Sequence, residues 1–425
     1  MNSKANKMKN VFCYILCFMY IFNFNINQSK IFTSVNIVAI FCFFALFFKK
    51  GFIEKYVSVL RSKFHFCLFT IFLLIIFISF LSPIIQSTND FSFLKTILHQ
   101  FYSIEVGLLL YSYMIIQMNN IQIVNIIIFC FLVQAIVQFL CFVFPPFKTL
   151  TDIFRDEYTI YKSSTSYIGF RGLAISGNAF FGLAAAYAIV FYLIIMKWED
   201  ILKINIVGKI ACVFLLLFGG LSAGRTSIVG IIIGFGFTFL KRFMSTFTSK
   251  KITIKFTNII TLLLIVLVAF TALKYFNNST NISVRRMRNY ITEFTNGILS
   301  GDGLSSSGTG NRLFNEMYFS ISDKQLLIGD GQYMVGNSYY MKTDAGYMRP
   351  ILFFGIFGFS VLVILQIYML KAIYSKDKYL VTGLIVLLFA LQVKGEVIGF
   401  LIITQSMLLL LNLGYINDKR GVIDE

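Results

Sequence analysis

Histidine, tryptophan and proline are all scarce: two histidines, one tryptophan and four prolines in 425 residues. His65 and His99 are too few for a histidine-built metal centre. No acidic cluster suits a divalent cation, and no glycine-rich loop of the kind that cradles a nucleotide is present. Chemistry driven by cytoplasmic ATP or a nucleotide-sugar is therefore not expected, nor is a cofactor. Seven cysteines (13, 17, 42, 67, 130, 141 and 212) all lie in or beside apolar runs. Their odd number and their spacing imply neither a disulfide framework nor a zinc site. Charged residues make up only 13% of the chain, too few to clothe a soluble globule.

Apolar residues fill that space, at 57% of the chain with a mean hydropathy of +0.78. A membrane span needs roughly 20 apolar residues, and about twelve such runs can be counted by that measure. They lie near 10–27, 31–48, 65–86, 96–117, 121–144, 173–196, 206–222, 226–240, 256–275, 350–371, 379–393 and 397–414. The expected fold is a single all-α polytopic membrane domain over residues 1–425, with both termini cytoplasmic. Lys4, Lys7 and Lys9 precede the first run without a small-residue cleavage site after it, which reads as an uncleaved span.

Orientation follows from the basic loops. Lys49, Lys50, Lys55, Arg61 and Lys63, then Lys241, Arg242, Lys250, Lys251 and Lys255, then Lys371, Lys376 and Lys378, then Lys419 and Arg420 all fall on the inner side. The net charge of +18 is thus explained by topology and anionic headgroups rather than by nucleic acid. Trp198 is an inner interfacial anchor. Pro83, Pro145, Pro146 and Pro350 lie near outer span ends, where a missing N–H costs least. Two outer loops are long: 145–172, and 277–349, which is rich in Gly, Ser and Asn. Asn311–Ser322 in the second has apolar residues at helical spacing and predicts a short amphipathic helix.

Arginine is distributed against the positive-inside trend. Arg155, Arg171, Arg225, Arg285, Arg286, Arg288, Arg312 and Arg349 are all expected outside. Its planar fork binds phosphate or carboxylate bidentately, which lysine cannot do. Arg225 lies in Gly219–Ser227, a Gly/Ser-rich turn between two apolar runs that reads as a tight helical hairpin. Arg171, Arg225 and Arg349 each precede a span running from outside to inside, where the helix macrodipole disfavours a cation. A bound anion would reconcile the two by taking the fork and the first-turn N–H groups together. The expected pyrophosphate-binding set is Arg171, Arg225, Thr226, Arg286, Arg312 and Arg349. The alternative is that these arginines snorkel to outer-leaflet lipid phosphates.

Other polar groups have two readings each. Asp344, in Thr343–Tyr347, is a candidate general base for a sugar hydroxyl, or it neutralises Arg349 or caps the following helix. Asp330 reads as part of a turn. Glu105 pairs with an arginine or contacts a neighbouring helix. Lys394 and Glu396 read as a local ion pair, and His99 as interfacial.

Four stretches in order resemble the Wzy-type O-antigen and capsule polymerases and the related O-antigen ligases. They are Arg171-Gly172 with Gly177-Asn178; Leu221–Thr226; Gly308–Arg312 with Leu327–Gly331; and Thr343–Tyr347 leading to Phe354–Gly358. Arg171 with Gly182 and Arg286 with Gly297 also match an arginine-x10-glycine pattern of those polymerases. The resemblance implies a metal-independent glycosyltransferase in the bacterial cytoplasmic membrane. A glycan would pass from undecaprenyl pyrophosphate to a lipid-linked repeat unit at the outer face, for O-antigen lipopolysaccharide or capsule. Arg171 and Arg225 would stabilise the departing pyrophosphate, with Asp344 as candidate base. A flippase and a chain-length regulator are the implied partners. The ligases typically carry a histidine in the large outer loop, and none occurs between Asn277 and Arg349, which favours a polymerase. A ligase remains one alternative and a flippase for lipid-linked oligosaccharide another, though a transporter should carry charge along a path between both faces.

Overall fold

Apolar runs among few charges fold as helices because a helix satisfies its own backbone without water. The computed structural model describes residues 2–118, 121–165, 169–198, 205–249, 285, 308–336 and 338–420. The run at 256–275, Arg286 and much of the 277–349 loop lie outside the described residues.

In chain order the helices are α1 (Asn2–Phe22), α2 (Ser34–Phe48), α3 (Phe52–Leu60), α4 (Lys63–Ile85), α5 (Ser92–Gln117) and α6 (Ile123–Val143). Then come α7 (Pro145–Thr151), α8 (Glu157–Ser164), α9 (Phe181–Met196), α10 (Ile206–Ala223), α11 (Ile228–Ser249), α12 (Gly308–Arg312) and α13 (Asp323–Ile328). The last are α14 (Met348–Met369), α15 (Lys371–Tyr374), α16 (Lys378–Gln392) and α17 (Ile402–Arg420). Two small antiparallel ribbons interrupt them, β1 (Asn25–Ile26) with β2 (Ser29–Thr33), and β3 (Met334–Val335) with β4 (Ser338–Tyr339). Among the described residues, four helical stretches are long and apolar enough to cross a membrane: α4, α6, Arg225–Met244 and α14. The pair α2 and α3, bent by 120°, adds a fifth if it counts as one broken span. Five shorter apolar helices, Met8–Phe22, Phe181–Met196, Val207–Ala223, Lys378–Gln392 and Ile402–Ile416, accompany them among the described residues, in keeping with a membrane-embedded protein.

The described chain forms two compact units, one of residues 1–23, 33–126 and 309–425, the other of 24–32 and 127–308. In the first, α5 runs through the middle, packed on α1 to α4 and α17. Gly107 lets the Tyr20 hydroxyl and Leu409 approach its backbone; a Cβ there would meet them at 2.1 and 2.7 Å. In the second, α9 is buried from Gly182 to Ile194, apolar all round as a central helix should be. Gly230 and Gly234 of α11, a G-x-x-x-G pair, lie against Ala188 and Ile195 of α9.

Several sequence expectations are corrected. Residues 173–180 are irregular rather than the start of α9, because Gly172 (φ +74), Ser176, Gly177 and Asn178 favour turns. The last span starts at Ile402, since Gly399 (φ +62) breaks the helix before it. The span expected over 350–371 is interrupted at Phe354 and Gly355, whose φ of +71 no helix allows. Asn311–Ser322 is not one helix: α12 runs into a π-helical turn at Leu313–Met317. Beyond it, a Ser322–Gln325 capping box starts α13.

The glycines of α11 provide a matched test. A Cβ at Gly230 would lie 1.9 Å from the Ala188 carbonyl oxygen, a backbone atom that cannot turn aside, whereas Gly236 has open space. Gly230→Ala is expected to destabilise the protein by about 1–3 kcal/mol. Gly236→Ala should be neutral or stabilising by up to about 1 kcal/mol. Thermal unfolding of both variants in detergent micelles checks the contrast.

Candidate functional site

The helix break forms where the sequence places it, with the helices on either side of it, α10 and α11, each packed on α9. The helix α10 ends at Ala223, a 3-10 turn covers Arg225–Ser227, and α11 follows. Gly220 sits where a Cβ would meet the Phe191 ring at 2.8 Å, so the turn can lie close on α9. The Gln138 amide, itself held by the Tyr187 hydroxyl at 2.7 Å, donates to the Gly219 carbonyl at 3.1 Å. Arg225 and Thr226 are half-buried and Ser227 is buried.

Arg171 comes to this turn from the preceding loop. The Ser222 hydroxyl donates to the Phe170 carbonyl at 2.7 Å, and Arg171 Nη2 donates to the Ala223 carbonyl at 3.0 Å. Phe180 lies under the guanidinium, 5.6 Å away. Arg171 is therefore not at the start of α9 as its sequence position implied. It stands at the C-terminal end of α10, where the macrodipole favours a cation. It thus meets the chain just ahead of the turn that opens with Arg225.

Arg155 holds this loop in shape. It is 1% exposed, and its guanidinium donates to Asp152, to the carbonyls of Leu173 and Ala174, and to Cys141 Sγ. A fully engaged arginine of this kind is a clamp on the backbone that follows Arg171. The sequence placed it among the outer arginines without distinguishing it.

The other unit gathers Arg349, Glu396, Tyr333 and Tyr339. Arg349 is in the first turn of α14, and its Nη1 lies 2.6 Å from Glu396 Oε2. The Tyr333 hydroxyl donates to the same oxygen at 2.5 Å. The rings of Tyr333 and Tyr339 lie 4.2 and 3.6 Å from the guanidinium carbon, a two-sided cation–π contact. Arg349 Nε and Glu396 Oε1 are buried and make no hydrogen bond among the described residues. Burial pushes the Glu396 carboxyl up from its ordinary value, while the Arg349 charge and the Tyr333 hydroxyl pull it back. Burial and the Glu396 charge carry the Tyr333 phenol well above its ordinary value, against Arg349. Glu396 thus pairs with Arg349, not locally with Lys394 as expected.

Loop backbone around this cluster is tied down by side chains. Gln392 Oε1 accepts from Val397 and Ile398, and its amide donates to the Gly346 carbonyl. Gln366 accepts from the Gly399 N–H. The break in α14 frees the Leu352 and Phe353 carbonyls, which accept from the N–H groups of Asp330 and Gly331 at 2.7 and 2.9 Å. Asp330 is more than a turn residue, since its carboxylate accepts from Gln325 and Tyr340. Asp90 accepts from the N–H groups of Tyr333 and Met334, both at 2.6 Å, and from Ser92. Burial opposes ionisation of Asp90, but these bonds outweigh it and hold its carboxyl below the usual range.

Of the other expected site residues, Asp344 is exposed, near enough for its charge to act on Arg349. It does not cap α14, whose N-cap Tyr347 makes no side-chain capping bond. Arg312 is on the surface, 3.5 Å from Glu316, with both side chains over 60% exposed at 62% and 67%; such a pair contributes little. Arg286 lies outside the described residues. Glu105 takes the contact between helices, 3.2 Å from His65 Nε2. Tyr333, Tyr339, Asp90 and Glu396 are the residues that sequence reasoning missed. The signal for Glu396 was a carboxylate between two apolar runs, and for Asp90 an acidic residue just ahead of a helix start.

Two outcomes follow. Arg155→Ala empties a buried site and orphans the carbonyls of Leu173 and Ala174, so a loss of about 2–3 kcal/mol is expected, read as a fall in thermal stability and membrane abundance. Asp90 binds fewer protons folded than unfolded at acid pH, so its contribution is present above its unfolded value of about 3.9 and is lost as pH falls through the lower folded value. Asp90→Asn should flatten the acid limb of a stability-against-pH curve and lower stability at neutral pH. No protein-family model matches the chain, and no curated protein or solved structure matches it either.

Proposed function

We propose that the protein is a bacterial cytoplasmic-membrane glycosyltransferase of about twelve spans, both termini cytoplasmic, that polymerises lipid-linked repeat units at the outer face. The observation that carries this reading is the joining of Arg171 to the turn that opens with Arg225. Those two segments are distant in sequence, and both belong to the stretches that resemble the polymerases. With the Thr226 hydroxyl they offer donors of the kind a pyrophosphate requires. The chemistry needs little else. An acceptor sugar hydroxyl forms a bond to the anomeric carbon of the donor glycan as the bond to pyrophosphate breaks. The electron pair leaves with undecaprenyl pyrophosphate, whose growing charge the arginines stabilise. The hydroxyl proton passes to a general base as the new bond forms.

Arg225→Lys keeps the charge but loses the fork. We expect chain extension to fall roughly a hundredfold with normal membrane abundance; full activity would remove the bidentate-phosphate basis of the proposal. The more general test is the size profile of surface glycan and of the lipid-linked pool in a strain lacking the protein. Glycan halted at one repeat unit is the expected result. Full-length polymer retained on the carrier lipid would make the protein a ligase, and repeat units trapped on the cytoplasmic face would make it a flippase.

A further inference from the structure

We propose that Tyr339 is a stacking platform for a pyranose ring of the lipid-linked glycan; this rests on the glycosyltransferase reading and specifies how the protein holds its sugar. Tyr339 lies on β4, opposite Met334 of β3. The Arg349 guanidinium sits 3.6 Å from its ring centroid, so the ring is held in place from one side. The residue is nonetheless 41% exposed. Arg349 cannot move to release it without leaving Glu396 and Tyr333, both of which are buried. An exposed aromatic ring is thereby fixed before any ligand arrives, which lowers the entropy lost on binding.

The backbone after Tyr339 has the marks of a built site. Met341 and Lys342 take φ of +51 and +57 in succession, though neither is glycine. Such strain persists only where the surroundings over-determine it, and here they do. The Tyr340 N–H bonds to the Tyr333 carbonyl, its hydroxyl to Asp330, and the Thr343 hydroxyl to the Met317 carbonyl at 2.9 Å. The strained turn sets Asp344 on the surface, close enough to act on the same guanidinium as Tyr339.

This combination selects a ligand class. A pyranose ring has an apolar C–H face, which suits an aromatic plane, and a rim of hydroxyls, which suits a carboxylate acceptor. An acyl chain has no use for the carboxylate, and an inorganic anion has no use for the ring. A tyrosine that merely anchors the protein at the membrane–water boundary requires neither the guanidinium clamp nor the strained turn.

The test uses the full-length protein in proteoliposomes and, as probe, the lipid-linked repeat unit that accumulates in the strain lacking it. Tyr339→Leu keeps an apolar side chain but no ring, and Tyr339→Trp keeps a ring. The expected result is a rise of about tenfold or more in half-saturating probe concentration for Tyr339→Leu, a near-normal maximal rate, and near-wild-type behaviour for Tyr339→Trp. Asp344→Asn, which replaces a charged acceptor of sugar hydroxyls by a neutral one, should likewise raise the half-saturating concentration. Wild-type saturation by Tyr339→Leu, or equal impairment of the Leu and Trp variants, would overturn the platform. If the strain lacking the protein makes polymer of normal length, the glycosyltransferase reading fails instead, whatever Tyr339 does.

Discussion

Irregular backbone set among apolar helices must find its hydrogen bonds inside the protein, and several buried or half-buried polar side chains serve that demand. Arg155 takes the carbonyls of Leu173 and Ala174. Gln392 and Gln366 take the N–H groups of the loop between α16 and α17. Asp90 takes those of Tyr333 and Met334. Even the break in α14 is answered, because the carbonyls it releases receive the N–H groups of Asp330 and Gly331. These loop segments are consequently tied to the helices they join.

Fixed loops are what make the arginines informative. An arginine on a loose loop would follow lipid headgroups wherever they lay. Arg171 is instead held at the end of α10 between the Ala223 carbonyl and the Phe180 ring. Arg349 is held between two tyrosine rings and a carboxylate. The two have different environments. Arg171 stands just ahead of a polar turn, where we propose that an anion binds. Arg349 is already matched by Glu396 and holds Tyr333 and Tyr339 against its guanidinium.

Much of this was legible in the sequence. Long apolar runs and basic loops announce a membrane protein, since the need for uninterrupted apolar length is local. Gly219–Ser227 announces a break between two helices, because glycine and serine cluster there between two apolar runs. The helix break at Gly355 and the clamp at Arg155 were not legible. An isolated glycine in an apolar run is compatible with a continuous helix, and a single arginine looks the same whether it is clamped or solvated.

The sequence by itself determined the helical character, the helix break at Arg225 and the pool of candidate residues, because each depends on composition and spacing within one short segment. Only the tertiary structure decided partners. It joined Arg171 to Ala223, Glu396 to Arg349 and Asp90 to Tyr333, residues up to 243 positions apart. Such pairings rest on which backbone groups are left unsatisfied once the helices have packed, and no local pattern records that.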